Sequence, residues 1–157
     1  MSGPPPNVFN AECRYDESDP DGYRSAAADI GRAAGGEALV VKVFELPPGE
    51  GLCPYHYEYE EEWLVVLDGA VTLRTPDGER ELARGDVARF PPGPAGAHKV
   101  SGSGEEPARV LMFSSANRPA VAVYPDSDKI GVWPGDDEDD VMLRRADGNL
   151  GYWDGER

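Results

Sequence analysis

Residues 47–69 read PPGEGLCPYHYEYEEEWLVVLDG, and the fold turns on this stretch. It holds one of the two histidines in the chain, His56, with Glu58 two residues on and Glu62 four further. The apolar run WLVVL follows, and Asp68-Gly69 closes it. In an extended segment, side chains two apart share a face, so His56 and Glu58 point the same way. A tight turn over residues 59–61 brings Glu62 back beside them on the next strand. An imidazole and two carboxylates converging from neighbouring strands are nitrogen and oxygen donors that suit a divalent transition metal such as Mn, Fe, Ni or Zn.

The second histidine, His98, lies in GDVARFPPGPAGAHKV, just beyond a Pro-Pro-Gly turn at 91–93 and next to a short apolar strand. Both histidines thus follow Pro/Gly-rich turns and adjoin apolar strands. Together these residues resemble the two motifs of a small single-domain cupin. His56, Tyr57, Glu58, Glu62 and Gly69 follow the spacing of the first motif, His-x-His, Glu, Gly. Gly85, Pro91, Gly93 and His98 follow that of the second. The fifteen residues 70–84 match the short spacer of compact members. The segment VAVYPDSDKIGVW is similar to one that follows the barrel in some bacterial cupins.

The sequence departs from the pattern at three places. Glu58 stands where the second histidine of His-x-His belongs, the opening glycine is displaced around Glu50, and Gly102 replaces the closing asparagine. The resemblance implies an all-β fold, a double-stranded β-helix (jelly-roll) barrel with extended N- and C-terminal arms. It implies a metal site of His56, Glu58, Glu62 and His98. Glu58 has three readings: direct ligand, base beside the metal, or part of the solvated EYEEE run. A His2Glu2 set is harder than His3Glu and shifts preference toward Mn or Fe. Two function classes stay open: a metal-dependent enzyme of dioxygenase or isomerase type on a small organic substrate, and a non-enzymatic small-molecule-binding or metal-free structural module.

The rest of the chain fits one domain of 157 residues. Residues 1–36, rich in Pro, Gly, Asp and Ala without a period, read as a flexible arm. Residues 37–115 carry short Val-rich strands at regular spacing, as barrels do. TPDG at 75–78 is a hairpin turn. Residues 116–157 form an extension that packs on the barrel or a partner, with an acidic run at 135–140 and an aromatic surface tail at 151–157.

Within the barrel, Leu64, Val66, Val87, Phe90 and Met112 are expected to face inward. Tyr55, Tyr57 and Tyr59 are expected on the outer sheet, and Arg74, Arg89 and Arg109 toward solvent. Cys53 is expected to point away from the His56 face and is not counted as a ligand. Trp63, Val65 and Leu67 give the central strand a second apolar face, which calls for a covering layer or a homodimer. A net charge of −15 repels phosphate backbones and anionic membranes, so no nucleic acid or membrane partner is expected. With no signal segment and no long apolar run, a cytoplasmic location is the expectation.

Overall fold

The computed structural model describes residues 4–147 and 150–156. Ser2 and Gly3 of the Pro-rich opening, and Arg157 at the end of the aromatic tail, fall outside them. The strands are β1 (Arg14–Tyr15), β2 (Ala26–Asp29), β3 (Leu39–Leu46), β4 (Tyr57–Glu58), β5 (Glu62–Asp68), β6 (Ala70–Thr75) and β7 (Gly78–Ala83). Then come β8 (Val87–Phe90), β9 (Lys99–Gly102), β10 (Ala108–Ser115), β11 (Ala120–Tyr124), β12 (Lys129–Trp133) and β13 (Val141–Arg144). The one α-helix among the described residues, α1 (Ile30–Ala33), follows β2.

Every strand pairing is antiparallel. A six-stranded sheet runs β1-β2-β3-β10-β5-β8, a three-stranded sheet β7-β6-β9, and a four-stranded sheet β13-β12-β11-β4. The expected barrel is not closed by continuous ladders among the described residues. Isolated bridges at Pro48–Gly102, Gly51–Ser101 and His56–His98 stitch the sheets instead.

Period-two alternation fills the space between the six- and three-stranded sheets. From one side come Leu46, Leu64, Val66, Val110 and Met112, and from the other Val71, Leu73 and Val100, all buried. Burying each such side chain contributes roughly 1.5–3 kcal/mol. Val87 departs from the expectation: it is 54% exposed, while Ala88 and Phe90 are buried. Residues 87 and 90 are an odd number apart and take opposite faces of a regular strand; Phe90 takes the inner one.

Two glycines are required by close approach. Gly69 turns β5 into β6 at φ +73°, and a Cβ there would lie 2.9 Å from Ala108 Cα. At Gly102, a Cβ would meet the Pro47 carbonyl oxygen at 2.4 Å. The Pro47–Gly51 turn is pressed onto β9 at this point, with Gly49 N–H donating to the Gly102 carbonyl at 2.9 Å. That contact leaves no room for the asparagine of the motif.

Residues 1–36, read as an arm, contribute β1 and β2 to the six-stranded sheet. β2 pairs with β3 along Ala26–Asp29, and Asp29 caps α1 by accepting from the Arg32 N–H at 2.8 Å. Arg109 holds the preceding segment through the Val8 and Ala11 carbonyls while pairing with Glu45. Polyalanine carries no face pattern, so the order here comes from the edge of β3 rather than from local sequence. On the outer face of this sheet Trp63 stacks on Phe113, centroids 6.2 Å apart, and Val65 and Leu67 are half-buried. In the C-terminal extension β11 and β12 form a hairpin whose first strand adds β4. No described helix is long and apolar enough to cross a membrane.

Candidate metal centre

The geometry begins with a backbone pair. His56 and His98 face each other across an antiparallel bridge and exchange both hydrogen bonds, at 3.1 Å from the His56 N–H and 2.8 Å from the His98 N–H. A directly opposed pair sends both side chains to one face, and the imidazole centroids stand 4.7 Å apart. Phe90 lies flat on His98, 3.6 Å between centroids at 8°. Glu62, the first residue of β5, shares the inward face with Leu64 and Val66, which aims its carboxylate at the same spot.

Each imidazole is oriented from behind. His56 Nδ1 lies 3.0 Å from the Pro54 carbonyl, and His98 Nδ1 lies 2.9 Å from that of Gly96. A carbonyl only accepts, so Nδ1 carries the hydrogen and Nε2 offers a lone pair to the centre. Glu62 Oε2 sits 3.8 Å from His56 Nε2 and 3.7 Å from His98 Nε2. Both distances are too long for hydrogen bonds. His98 Nε2, on a residue 1% exposed, has no hydrogen-bond partner among the described residues.

A buried polar atom without a partner is costly, unless a bound group completes it. Donors about 2 Å from one ion stand roughly 3 to 4 Å from one another, and the two carboxylate–imidazole separations of 3.8 and 3.7 Å fall in that range. His56, Glu62 and His98, with ligand atoms within 4.8 Å of one another, are a cluster that could hold a divalent metal. Glu58 approaches from one side only, its Oε1 3.8 Å from His56 Nε2.

Burial sets the charges. Desolvation pushes Glu62 up to about 8, with the Glu58 carboxylate adding to the rise. Glu58 is raised by burial and by Glu60, against the pull of Arg118. Desolvation and the neighbouring His56 hold His98 down at about 3, and His56 is lowered by burial. Two neutral imidazoles beside carboxylates that resist ionisation are poised for a cation.

Cys53 does not point away as expected: its Sγ lies 3.4 Å from His56 Nδ1. Residues 51–56 bend rather than run as a strand, so alternation does not govern them. The sulfur sits behind the ring, on the side opposite the lone pair. Tyr55 is buried beneath the Arg74 guanidinium, 3.9 Å from its ring centroid, and Arg74 pairs with Asp126 at 2.5 Å. Arg89 pairs with Glu61 at 2.5 Å on the surface.

His56, Glu58 and Glu62 open onto a cavity of about 420 Å³. Sequence reasoning missed Tyr124, Lys42 and Arg118 in its wall. Tyr124, at the end of β11, lies over His56 with centroids 5.8 Å apart, and burial raises its phenol to about 12. Lys42 lines the same cavity from β3. Its signal was present, because Lys42 shares a strand face with Val40, Phe44 and the buried Leu46.

Residues 42–114 match the family model described as cupin domain. No curated protein matches the chain by sequence. A solved structure from Silicibacter pomeroyi, described as a sugar phosphate isomerase from a cupin superfamily, is similar at 25% identity and TM-score 0.79, covering 95% of this chain and 98% of that one. One from Acidithiobacillus ferrooxidans, provisionally described as a sugar phosphate isomerase, is similar at 24% identity and TM-score 0.80, covering 92% of each chain. The polyketide cyclase RemF from Streptomyces resistomycificus is 19% identical with TM-score 0.58 over 73% of this chain and 80% of its own. The first two extend the likeness beyond the matched domain into the flanking segments. Fold, motifs and family model agree that residues 42–114 are a cupin domain.

Proposed function

We propose that the chain is a metal-dependent enzyme of isomerase type acting on a small organic substrate. His56, Glu62 and His98 are the ligands in this reading, with Glu58 beside them. The observation that carries it is the convergence of two back-anchored imidazoles and a buried carboxylate on one point, with His98 Nε2 otherwise unpartnered. A bound divalent ion supplies Lewis-acid polarisation of a substrate oxygen. Glu58 faces the cavity with its carboxyl raised toward neutrality by burial. It serves as the base that takes a proton from substrate carbon or oxygen and returns it. Tyr124 walls the site against water.

The likeness to the Silicibacter pomeroyi structure supports isomerisation over oxygenation, because it extends over nearly the whole of both chains. In this reading residues 37–115 carry the site, and Arg118, Tyr124 and Trp133 of the C-terminal extension contribute to the cavity wall. The half-buried Trp63, Val65 and Leu67 face supports a homodimer through the six-stranded sheet, to be read by sedimentation at micromolar concentration.

The decisive measurement is metal analysis of protein purified without a His tag, followed by assay on aldose and ketose phosphates. Near-stoichiometric metal, lost in His56→Ala together with turnover, is the expected result. Sub-stoichiometric metal that His56→Ala does not reduce overturns the reading. It favours instead a metal-free binding module, for which Glu58 in the position of the motif histidine is the supporting observation.

A further inference from the structure

Lys42 occupies an unusual position. β3 pairs with β10, which pairs with β5, and Lys42, Met112 and Leu64 fall on one line across these strands. Leu64 and Met112 are buried in the core, so the Lys42 side chain leaves the sheet on the inner side and enters the cavity. Ammonium groups are rarely turned inward without a partner. Asp29 stands opposite Lys42 on β2, but its carboxylate is engaged with the Arg32 N–H at 2.8 Å. Among the described residues Lys42 has no ion pair.

Arg118, just after β10, lies on the wall of the same cavity. It also lacks an ion pair among the described residues, although its charge reaches Glu58. These two are the basic residues of the lining, whose carboxylates are Glu58, Glu60 and Glu62. Glu60 is held by Ser115 and by Asn117 Nδ2, the latter at 3.0 Å. Glu62 faces the imidazoles. Glu60 and Glu62 are therefore engaged, and neither cation is ion-paired to the remaining carboxylate, Glu58, among the described residues.

We propose that Lys42 and Arg118 bind the anionic group of the cavity's ligand, a small molecule bearing one phosphate or carboxylate. Two strand spacings, about 10 Å, separate the β3 and β5 backbones. A short chain-like ligand thus reaches the His/Glu cluster with one end while its anion rests between the cations. An ammonium gives a phosphate a point charge, and a guanidinium gives either anion a two-pronged donor. The inference rests on the cavity being the ligand site proposed above, but not on the reaction or the metal.

The test is calorimetric binding of a matched trio, ribose 5-phosphate, ribonate and ribose, to wild type, Lys42→Met, Arg118→Met and the surface control Arg80→Gln. Wild type is expected to bind at least one anionic member ten or more times tighter than ribose. The tighter of the two identifies phosphate or carboxylate. Lys42→Met and Arg118→Met should each lose at least tenfold for that anion, and under twofold for ribose, with metal content unchanged. Arg80→Gln, which removes the same charge elsewhere, should match wild type. Equal affinity for all three sugars in wild type overturns the proposal, as does unchanged anion binding in either cavity variant. Retained anion preference in a protein that carries no metal and turns nothing over leaves this assignment standing and defeats the enzymatic reading instead.

Discussion

The inner wall of the cavity and its mouth are built on opposite terms. At the inner wall, His56 and His98 are fixed by a doubly hydrogen-bonded backbone pair, by carbonyls behind each ring and by Phe90 packed on one of them. At the mouth, Glu60, Asn117 and Arg118 come from loops, and the contacts are between side chains at the surface. Precision sits where burial makes a misplaced polar group expensive. Adaptability sits where water can compensate. A site that fixes one chemical centre and admits a small molecule has use for both.

The largest expected effect breaks the inner wall. His98→Ala should lower metal affinity by more than about a hundredfold, beyond the 10–100-fold that loss of a mere supporting contact costs. Metal titration by calorimetry reads it. Glu58→Gln, by contrast, should weaken the metal far less than Glu62→Gln, since Glu58 reaches only one of the imidazoles.

Gly102→Asn restores the motif residue yet should destabilise. Its Cβ collides with the Pro47 carbonyl at 2.4 Å, at a cost of roughly 1–3 kcal/mol in urea unfolding. A neutral result would show that the Pro47–Gly51 turn yields without cost.

The pH dependence sharpens the comparison further, because the inner wall holds Glu62 and His98, both strongly shifted. In the metal-free protein His98 is depressed from 6.5 to about 3. The unfolded chain binds the extra proton there, and stability falls as pH drops through that window. Glu62 is raised from 4.5 to about 8. The native state keeps a proton that the unfolded chain releases, and stability falls as pH rises from 4.5 toward 8. Thermal unfolding of metal-free protein should show both arms. A bound divalent ion displaces the Glu62 proton, so metal affinity should climb with pH up to about 8 and the alkaline arm should flatten.

The smallest effect is at the rim. Arg74 pairs with Asp126 and covers Tyr55, tying β6 to the end of the C-terminal hairpin. Both partners are substantially exposed, so Arg74→Met should cost under about 1 kcal/mol. A larger loss would mean that this clamp sets the position of Tyr124.

Much of the inner wall was legible. The spacing from His56 to Glu62 to Gly69 places the first imidazole and carboxylate on adjoining strands, and WLVVL supplies the strand that carries Glu62. What could not be read were the parts that depend on a partner segment. Cys53 lies against His56 because residues 51–56 bend. Ala26–Asp29 joins the sheet because β3 offers an edge. Tyr124 reaches the site because β11 pairs with β4, more than sixty residues away in the chain. Val87 fell on the wrong face for a simpler reason: its strand is four residues long, too short for its pattern to fix the frame.

By itself the sequence determined a β-rich cupin domain and the donor types of its site, because strand alternation and turn glycines are local properties of the chain. Only the tertiary structure decided that His56 and His98 are opposite neighbours, that Lys42 enters an acidic cavity, and that the C-terminal hairpin roofs it. Those facts depend on register between distant strands, and register is fixed by burial of a whole face rather than by any one segment.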